Sequence, residues 1–359
     1  MRIENGWPIY YSTANAGGAT LLKTDEVYSG GSAGLGLCGI GQVIGLWDAG
    51  IPRLDHVEFD GRVTDKGGSS SQITHATRVA GTLIATGVNS TSKGMAYQAS
   101  VDNYNWSNDI SEMSGAAADG TNPLLNSVHP YQINVGWSYG NFSTKGEGWY
   151  WYGDQNDDES FFFGHYDETT REWDNVAYLA QNYLIVVYAA NQRGEIYEAG
   201  TPEEEIFIFY DLNNNGEADW ESVTTIRTVE PDFEIPGPDG GVDGYKSISG
   251  FNLGKNVFTV GSVNQDKNMS TNSSWGPTDD GRIKPDVLAK GVSVYSSAAG
   301  STTSYSTSSG TSFSAPMIAG SAALLMEHQE NLHPGSLVLS STQLKNLETP
   351  GRIISTAGD

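Results

Sequence analysis

Four polar residues of the chain have the types needed for chemistry at a carbonyl carbon: Asp48, His75, Asn191 and Ser312. A serine hydroxyl is a poor nucleophile until a neighbouring base takes its proton, and an imidazole oriented by a carboxylate is a suitable base. A side-chain amide can donate a hydrogen bond to the oxyanion that then develops. These residue types suit acyl transfer, provided that the fold brings the four residues together.

Ser312 lies in the stretch Gly-Thr-Ser-Phe-Ser-Ala-Pro at residues 310–316, directly before an apolar stripe with helical spacing. The members of that stripe recur at offsets of three and four: Ala315, Ile318, Ala319, Ala322, Ala323 and Met326. They predict a helix packed on a core, with Ser312 at or near its N-terminus. Unpaired backbone N–H groups at a helix N-terminus favour a developing negative charge. A serine that only caps a core helix is the alternative.

The other three residues also stand where predicted elements begin or end. Asp48 follows one apolar strand and Asn191 follows another, while His75 begins a helix with Thr74 as a candidate cap. Because the carboxyl ends of parallel strands meet at one edge of a sheet, we expect these side chains to converge. Each alone is equally an ordinary turn, strand-end or helix-end residue. His56 is the rival histidine and ranks lower, because no predicted helix or strand supports its polar loop.

Strands and helices alternate along the chain and predict one domain over residues 1–359. Its expected fold is α/β, a doubly wound, mainly parallel central sheet with helices on both faces. Predicted strands lie at 43–47, 101–106, 132–138, 184–190, 257–262 and 292–295, and further predicted helices lie at 74–84, 110–119, 170–182 and 340–347. We expect an extended lead-in at 1–40 and two insertions, at about 141–166 and 195–246.

The charge balance restricts the partners of the chain. Lys and Arg number 19 against 43 Asp and Glu, which gives a net charge of −24. Such a surface repels phosphate backbones, so we expect no nucleic-acid partner. Cys38 is the only cysteine, which excludes an internal disulfide and a cysteine-based metal site. The sequence has no apolar run long enough to cross a membrane and no signal peptide at its start.

The second insertion contains a candidate calcium site. Asp211, Asn213 and Asn215 alternate along the chain before a glycine, and Asp219 follows shortly after. Oxygen side chains at this spacing can wrap a loop around a cation of calcium size. The match to a calcium-binding loop is partial, because its twelfth position is Ser222 rather than glutamate. We predict structural calcium here, with a plain polar turn as the alternative of equal weight.

Four segments of the sequence together resemble the subtilisin-like serine peptidases, the subtilase family. They are Leu46-Trp47-Asp48-Ala49-Gly50, His75-Ala76-Thr77-Arg78-Val79-Ala80-Gly81-Thr82, Ala189-Ala190-Asn191 and Gly310-Thr311-Ser312-Phe313-Ser314-Ala315-Pro316. The likeness runs from about residue 41 to 347 outside the two insertions, and the serine segment is its most specific part.

The resemblance implies a serine endopeptidase that hydrolyses peptide bonds of proteins through an acyl-enzyme intermediate. In such an enzyme His75 accepts the proton of Ser312 and Asp48 orients the imidazole. Asn191 and the Ser312 backbone N–H would donate to the oxyanion. The residues implied to bind substrate as an extended strand are Gly136, Trp137 and Ser138.

The resemblance also implies a secreted protein. We expect that its signal segment, together with a propeptide, has been removed from this chain. We expect a monomer that acts on proteins or peptides. Two alternatives stay open on the same fold: a catalytically weak peptide-binding protein, and a calcium-dependent structural module without peptidase activity.

The chain departs from the family pattern at four positions. Ala76 and Arg78 stand where the family usually has Gly and a second His, and Ala190 stands where it usually has Gly. Ala49 replaces a Ser or Thr whose hydroxyl would steady the catalytic carboxylate. None of these changes removes a reacting group, so they bear on rate and fine geometry.

Overall fold

A computed structural model describes residues 2–4, 7–9, 14–68, 71–140, 146–152, 160–180, 182–189, 206–210, 219–223 and 247–335. Its strands are β1 (Arg2–Glu4), β2 (Trp7–Ile9), β3 (Val43–Asp48), β4 (Val63–Asp65), β5 (Ser100–Asn105), β6 (Asn126–His129), β7 (Gly136–Gly140), β8 (Gly148–Tyr152), β9 (Leu184–Tyr188), β10 (Ile206–Tyr210), β11 (Asp219–Val223), β12 (Phe258–Val263), β13 (Val287–Lys290), β14 (Val294–Ser297) and β15 (Tyr305–Ser308). Its α-helices are α1 (Ala14–Leu22), α2 (Thr74–Ile84), α3 (Asp109–Ala117), α4 (Glu168–Leu179) and α5 (Ser314–Leu332). Short 3₁₀ helices cover Thr24–Val27, Ser90–Ser92, Trp106–Asn108, Gly250–Leu253 and Thr311–Phe313.

Seven strands form the central sheet, in the order β13-β12-β9-β6-β3-β5-β4, and every neighbouring pair is parallel. From β3 the chain first adds β4 and β5 on one side and then β6 on the other. The direction of winding therefore reverses at β3. In open α/β sheets such a reversal opens a crevice at the carboxyl ends of the strands. The predicted α/β fold with a parallel central sheet is confirmed.

Alternating side chains of the buried strands enter two cores, one on each face of the sheet. On β3, Ile44 and Leu46 belong to the core shared with α2 and α5. Trp47 belongs to the other core, to which α3 contributes Met113 and α4 contributes Trp173. Both faces of the sheet are covered, which explains why its strands include near-continuous apolar runs.

Three further sheets lie outside the central sheet among the described residues. A four-stranded sheet has the order β11-β10-β8-β7, in which only the pair of β8 and β10 is parallel. Its strand β8 comes from the first insertion and buries Tyr150 and Trp151 completely. The hairpin of β14 and β15 is antiparallel and leads into the turn before α5, and β1 pairs with β2.

The prediction of an extended lead-in at 1–40 is wrong, because α1 and a 3₁₀ helix lie within it. The sequence did not predict α1, because its two glycines, Gly17 and Gly18, disfavour a helix in isolation. In the fold a Cβ atom at Gly18 would collide with the Met317 side chain of α5. The glycine thus permits close packing of α1, which buries Ala19 and Leu22 in the core.

Two predicted strands of the central sheet are misplaced. The third predicted strand, at 132–138, is not part of the central sheet, in which β6 lies next to β3 instead. Residues 136–140 form β7 of the four-stranded sheet. The last strand of the central sheet is β13 rather than 292–295, since β14 pairs with β15 alone among the described strands. β6 has the polar sequence Asn-Ser-Val-His, which gives no strand pattern, yet it is buried along its whole length. The predicted helix at 340–347 lies outside the described residues.

None of the helices in the described part of the chain is long and apolar enough to cross a membrane.

Candidate active site

Asp48 is the last residue of β3 and lies at the point where the winding of the sheet reverses. The residue is 1% exposed, and each of its carboxylate oxygens has a partner. The backbone N–H of Ala49 donates to Oδ1 at 2.7 Å, and His75 lies against Oδ2. The carboxylate is therefore steadied by the main chain at a position that offers no side-chain hydroxyl.

His75 is the second residue of α2, and its Nδ1–H donates to Asp48 Oδ2 at 2.7 Å. Its side chain is 37% exposed, whereas the Asp48 side chain is 2% exposed. A buried carboxylate thus holds one ring nitrogen while the imidazole stays open to solvent. The structure brings the predicted acid and base together in hydrogen-bonding contact.

The loop after β3 fixes the start of α2, and with it the position of His75. The N–H of Ile51 donates to Ser71 O at 2.9 Å, and that of Ile73 donates back to Ile51 O at 3.0 Å. The N–H of Arg53 donates to Thr77 Oγ1 at 2.9 Å. Residue 74 is not the cap, because the N-cap position is Ile73, without a side-chain cap. Backbone pairing with the strand-end loop replaces the predicted cap.

Ser312 lies in the 3₁₀ turn Thr311–Phe313, immediately before α5. The N–H of Gly310 donates to Gly291 O at 2.8 Å, directly after β13, and Thr311 Oγ1 donates to Asn272 O of a loop at 2.5 Å, so both neighbouring segments hold the turn. The ring of Phe313 lies 5.9 Å from the imidazole of His75 between centroids. The predicted nucleophile therefore belongs to a turn that touches the predicted base.

The Ser312 hydroxyl and the His75 imidazole share no hydrogen bond within the described residues. In structures without substrate the hydrogen bonds of a catalytic site are often long and tighten only when substrate is bound. The apolar stripe after Ser312 forms the buried side of α5 as predicted, although α5 itself begins two residues later, at Ser314.

The remaining predicted site residues are placed less completely. Asn191 lies outside the described residues. The three residues Gly136, Trp137 and Ser138 belong to β7, an edge strand in the described part of its sheet. Gly136 has φ +61°, and a Cβ atom there would lie 2.8 Å from Phe163 Cζ, so glycine is required at this position.

The predicted calcium ligands cannot be compared with the fold. Asp211, Asn213 and Asn215 lie outside the described residues, and Asp219 begins β11 without a described side chain. Over the residues that are described, no group of three or more His, Cys, Asp or Glu side chains could hold a metal ion.

His56, the rival histidine, is a structural residue. It is 1% exposed, its Nδ1 accepts from the N–H of Glu58 at 3.2 Å, and its Nε2 lies 2.9 Å from Ser304 O. Both ring nitrogens are occupied by the backbone, so this histidine is well held although no helix or strand contains it.

Sequence reasoning missed a buried polar chain, formed by Ser127, His129, Tyr131 and Asp109. Ser127 Oγ lies 2.9 Å from His129 Nε2, and His129 Nδ1 lies 3.2 Å from the Tyr131 hydroxyl. That hydroxyl donates to Asp109 Oδ2 at 2.8 Å. Because its one proton goes to the carboxylate, Nδ1 of the neutral imidazole must carry the proton toward Tyr131.

Burial shifts the pKa values of His129 and Asp109 in this buried polar chain. His129 is fully buried against the rings of Trp47 and Trp173, and burial holds its pKa well below the ordinary value. Burial also raises the pKa of Asp109, although the hydrogen bond from Tyr131 works in the opposite direction. The only signal in the sequence was the pair of hydroxyl and imidazole groups two residues apart, which no strand pattern accompanied.

A model of the subtilase family matches residues 39–350. The chain belongs to the subtilase family. The family is that of the subtilisin-like serine peptidases. The resemblance noted in the four sequence segments is thereby confirmed.

Relatives of this subtilase match it over parts of their length. C5a peptidases of Streptococcus pyogenes are 40% identical over 92 residues, or 26% of this chain and 7% of theirs, and 47% identical over 66 residues, or 18% and 6%. Serine protease AprX of Bacillus subtilis is 34% identical over 119 residues, or 27% of this chain and 25% of that protein. The matches to the C5a peptidases thus span a small fraction of those proteins.

Solved structures share the fold of this subtilase. The Clostridium perfringens CspB protease has a TM-score of 0.56 at 16% identity, with 86% of each chain covered. A cold-adapted subtilisin-like serine proteinase has a TM-score of 0.50 at 18% identity, with 87% of this chain and 82% of that one covered. At such identities the likeness concerns the fold alone.

Proposed function

We propose that this subtilase is a secreted serine endopeptidase that hydrolyses peptide bonds through an acyl-enzyme intermediate, with Asp48, His75 and Ser312 as its catalytic triad. The observation that carries the proposal is the 2.7 Å hydrogen bond from His75 Nδ1 to a buried Asp48 carboxylate at the crevice of the sheet. That bond leaves Nε2 of the imidazole to accept a proton. The contact between Phe313 and His75 puts the Ser312 turn beside it.

In the first half of the reaction, His75 Nε2 takes the proton of Ser312 as Oγ attacks the scissile carbonyl carbon. The tetrahedral intermediate then collapses, the C–N bond breaks, and the imidazolium gives its proton to the leaving amine. In the second half, His75 takes a proton from water as the water oxygen attacks the ester carbon. The second tetrahedral intermediate collapses, the C–Oγ bond breaks, and the imidazolium returns its proton to Ser312 Oγ as the acid leaves. Asp48 keeps the tautomer and stabilises the imidazolium in both halves.

The oxyanion requires hydrogen-bond donors aimed at the former carbonyl oxygen. We assign this role to the Ser312 backbone N–H and to the side-chain amide of Asn191. The start of α5 supports the first assignment, because the partial positive charge of a helix N-terminus lies beside the turn. The order of the sequence segments supports the second. Removing such a donor typically costs about 2.7–4 kcal/mol of transition-state stabilisation.

Substrate is proposed to bind as an extended strand beside Gly136, Trp137 and Ser138. An edge strand presents unpaired backbone N–H and C=O groups that a peptide can pair with. β7 is such an edge in the described part of its sheet, which supports this assignment.

Structural calcium is proposed at Asp211, Asn213, Asn215 and Asp219, where its role would be to order an acidic insertion. Secretion is proposed from the resemblance and suits a net charge of −24. Calcium is tested by thermal unfolding of the full chain with calcium or a chelator. A rise in Tm with calcium that is lost in Asp211→Asn supports the site, and an unchanged Tm contradicts it.

The catalytic proposal is tested by covalent labelling with a fluorophosphonate, followed by mass spectrometry of the labelled peptide. We expect one label per molecule on Ser312, lost in His75→Ala, together with cleavage of an unfolded protein substrate. Ser312→Ala is the control for labelling elsewhere. A wild type that binds peptides but neither labels nor cleaves them would favour the weak peptide-binding alternative.

A further inference from the structure

We propose that Arg78 is a positioning residue, which clamps the helix of His75 against the hairpin that leads to Ser312. The proposal rests on the proposed function, in which the base and the nucleophile must meet. Arg78 is one of the positions where the chain departs from the family pattern. It follows His75 by three residues on α2, and side chains at that spacing lie on one helix face with Cβ atoms about 5–6 Å apart.

The Arg78 side chain contacts β15. Its Nε and Nη2 donate to Ser306 Oγ at 3.0 Å and 2.7 Å. Ser306 lies on the strand that runs directly into the Ser312 turn. The backbone of Arg78 contacts the other strand of the hairpin, since its carbonyl accepts from Ser296 Oγ at 2.8 Å. One residue of α2 is therefore bonded to both strands.

The interface around this clamp leaves little space. A Cβ atom at Gly81 of α2 would lie 2.5 Å from Ser296 Oγ and from Ser297 Oγ of β14. Thr82 Oγ1 donates to Ser296 Oγ at 3.4 Å, and all three of these hydroxyl residues are buried. Helix and hairpin are in direct contact from Arg78 to Thr82. A change in the clamp is thus expected to move the hairpin relative to α2.

Such a movement would affect the chemical step more than substrate binding. The turn at the end of β15 places Phe313 against His75, so the position of the hairpin influences the separation of base and nucleophile. The proposed substrate strand, β7, belongs to a different sheet. A misplacement of about 1 Å between reacting groups can cost about 100-fold in rate. We therefore expect the clamp to act on kcat and to leave KM almost unchanged.

The test measures kcat and KM of the full chain with a chromogenic peptide amide that the wild type cleaves. We expect Arg78→Ala and Ser306→Ala each to lower kcat by about 10- to 100-fold, with KM within about 2-fold. The double variant should be no slower than either single variant, because both remove the same contact. Ser306→Thr keeps the hydroxyl and should retain most of the activity, and Arg78→Lys should restore part of it.

Tyr305→Phe is the matched control. Tyr305 precedes Ser306 on β15, and its hydroxyl donates to Glu58 Oε1 at 2.8 Å, outside α2. This variant also loses one bond that holds the hairpin, but it leaves the clamp intact, so kcat should stay within about 2-fold. If it lowers kcat as much as Arg78→Ala does, general stability of the hairpin explains both effects and the proposal is wrong.

Failure of this inference differs from failure of the proposed function. A wild type without labelling or cleavage would remove both. An active wild type whose Arg78→Ala and Ser306→Ala variants keep their kcat would remove only the clamp. If Arg78→Ala does not fold, Ser306→Ala gives the same readout. The coupling of the two residues is also measurable without activity, by a double-mutant cycle in a Ser312→Ala background. The free energy of unfolding in urea is measured for the parent, Arg78→Ala, Ser306→Ala and the double variant. Additive effects of the two substitutions would contradict the clamp.

Discussion

Two groups of serine, histidine and carboxylate residues each include the end of a strand, β3 in one and its neighbour β6 in the other, and they differ in access to solvent. In the crevice, Asp48 ends β3 and orients His75, whose side chain is 37% exposed. In the buried polar chain, His129 ends β6 and is fully enclosed between Ser127 and Tyr131. The comparison teaches that residue types alone do not make a catalytic site. A base must keep one nitrogen open, whereas both nitrogens of His129 are occupied.

The largest expected difference between the two groups is in catalysis. His75→Ala should lower kcat/KM by about 10⁴-fold or more, because the proposed base would act with the proposed nucleophile as a unit. Its free energy of unfolding should fall by about 1–3 kcal/mol, because Asp48 Oδ2 loses its partner. The rate is measured with the chromogenic peptide amide, and enzyme concentration by absorbance. A His75→Ala variant with near-normal rate would put the base elsewhere.

The second difference is in stability. His129→Ala should lower the free energy of unfolding by about 2–5 kcal/mol, because it leaves a cavity between two tryptophan rings and removes hydrogen-bond partners from Ser127 and Tyr131. Urea unfolding in a Ser312→Ala background checks this without self-digestion. With Ser312 intact, the His129→Ala variant should keep the wild-type kcat when the rate is divided by the amount of protein that the fluorophosphonate labels. Loss of kcat without loss of stability would show that the buried polar chain serves catalysis instead.

The pH dependence of stability separates the groups further. Burial lowers the pKa of His129 below its ordinary value of 6.5, so the unfolded state takes up a proton there before the folded state does. Stability due to His129 is therefore present above pH 6.5 and is lost as pH falls, by up to about 1.4 kcal/mol per pH unit. Asp109 has the opposite sign, because burial raises its pKa.

The measurement compares unfolding of the Ser312→Ala protein and its His129→Phe derivative at pH 7.5 and 5.5. Phenylalanine fills the space but does not titrate, so the derivative should lose less stability on acidification. Equal losses in the two proteins would show that His129 already accepts a proton in the folded state.

The smallest effect is expected at Ala49. The family usually has a hydroxyl residue there, yet the backbone N–H at this position already donates to Asp48 Oδ1. Ala49→Ser should therefore change kcat by no more than about 3-fold, measured with the same peptide amide. A larger gain would mean that the main-chain bond holds the carboxylate poorly, and Ala49→Gly is the control for backbone effects.

The crevice could be predicted further from sequence than the buried polar chain. Asp48 and His75 each follow a pattern that local physics produces, an apolar run for β3 and a helical stripe for α2, and the structure joins them as expected. Ser312 and its helix were placed to within two residues. Asn191 and the calcium ligands stay predictions.

The buried polar chain was missed because tertiary contacts, rather than local propensity, make β6 a strand. Its Asn126 donates from Nδ2 to Ala319 O on α5 at 2.8 Å, and Ser127 pairs with His129. These partners lie far apart in sequence or depend on the strand itself, so no window of residues reveals them. Helix α1 was not predicted for a similar reason. The packing that favours glycine at position 18 involves Met317, which lies far away in the sequence.

The place of β3 in the sheet also has a consequence for hydrogen exchange. This strand is paired on both sides and buried in two cores, so its amides should be among the last to exchange with solvent. The short turn with Ser312 has few such bonds and should exchange earlier. Partial opening of the molecule would then release Ser312, the proposed nucleophile, while Asp48 stays anchored, and reclosure would need to restore only one half of the proposed site.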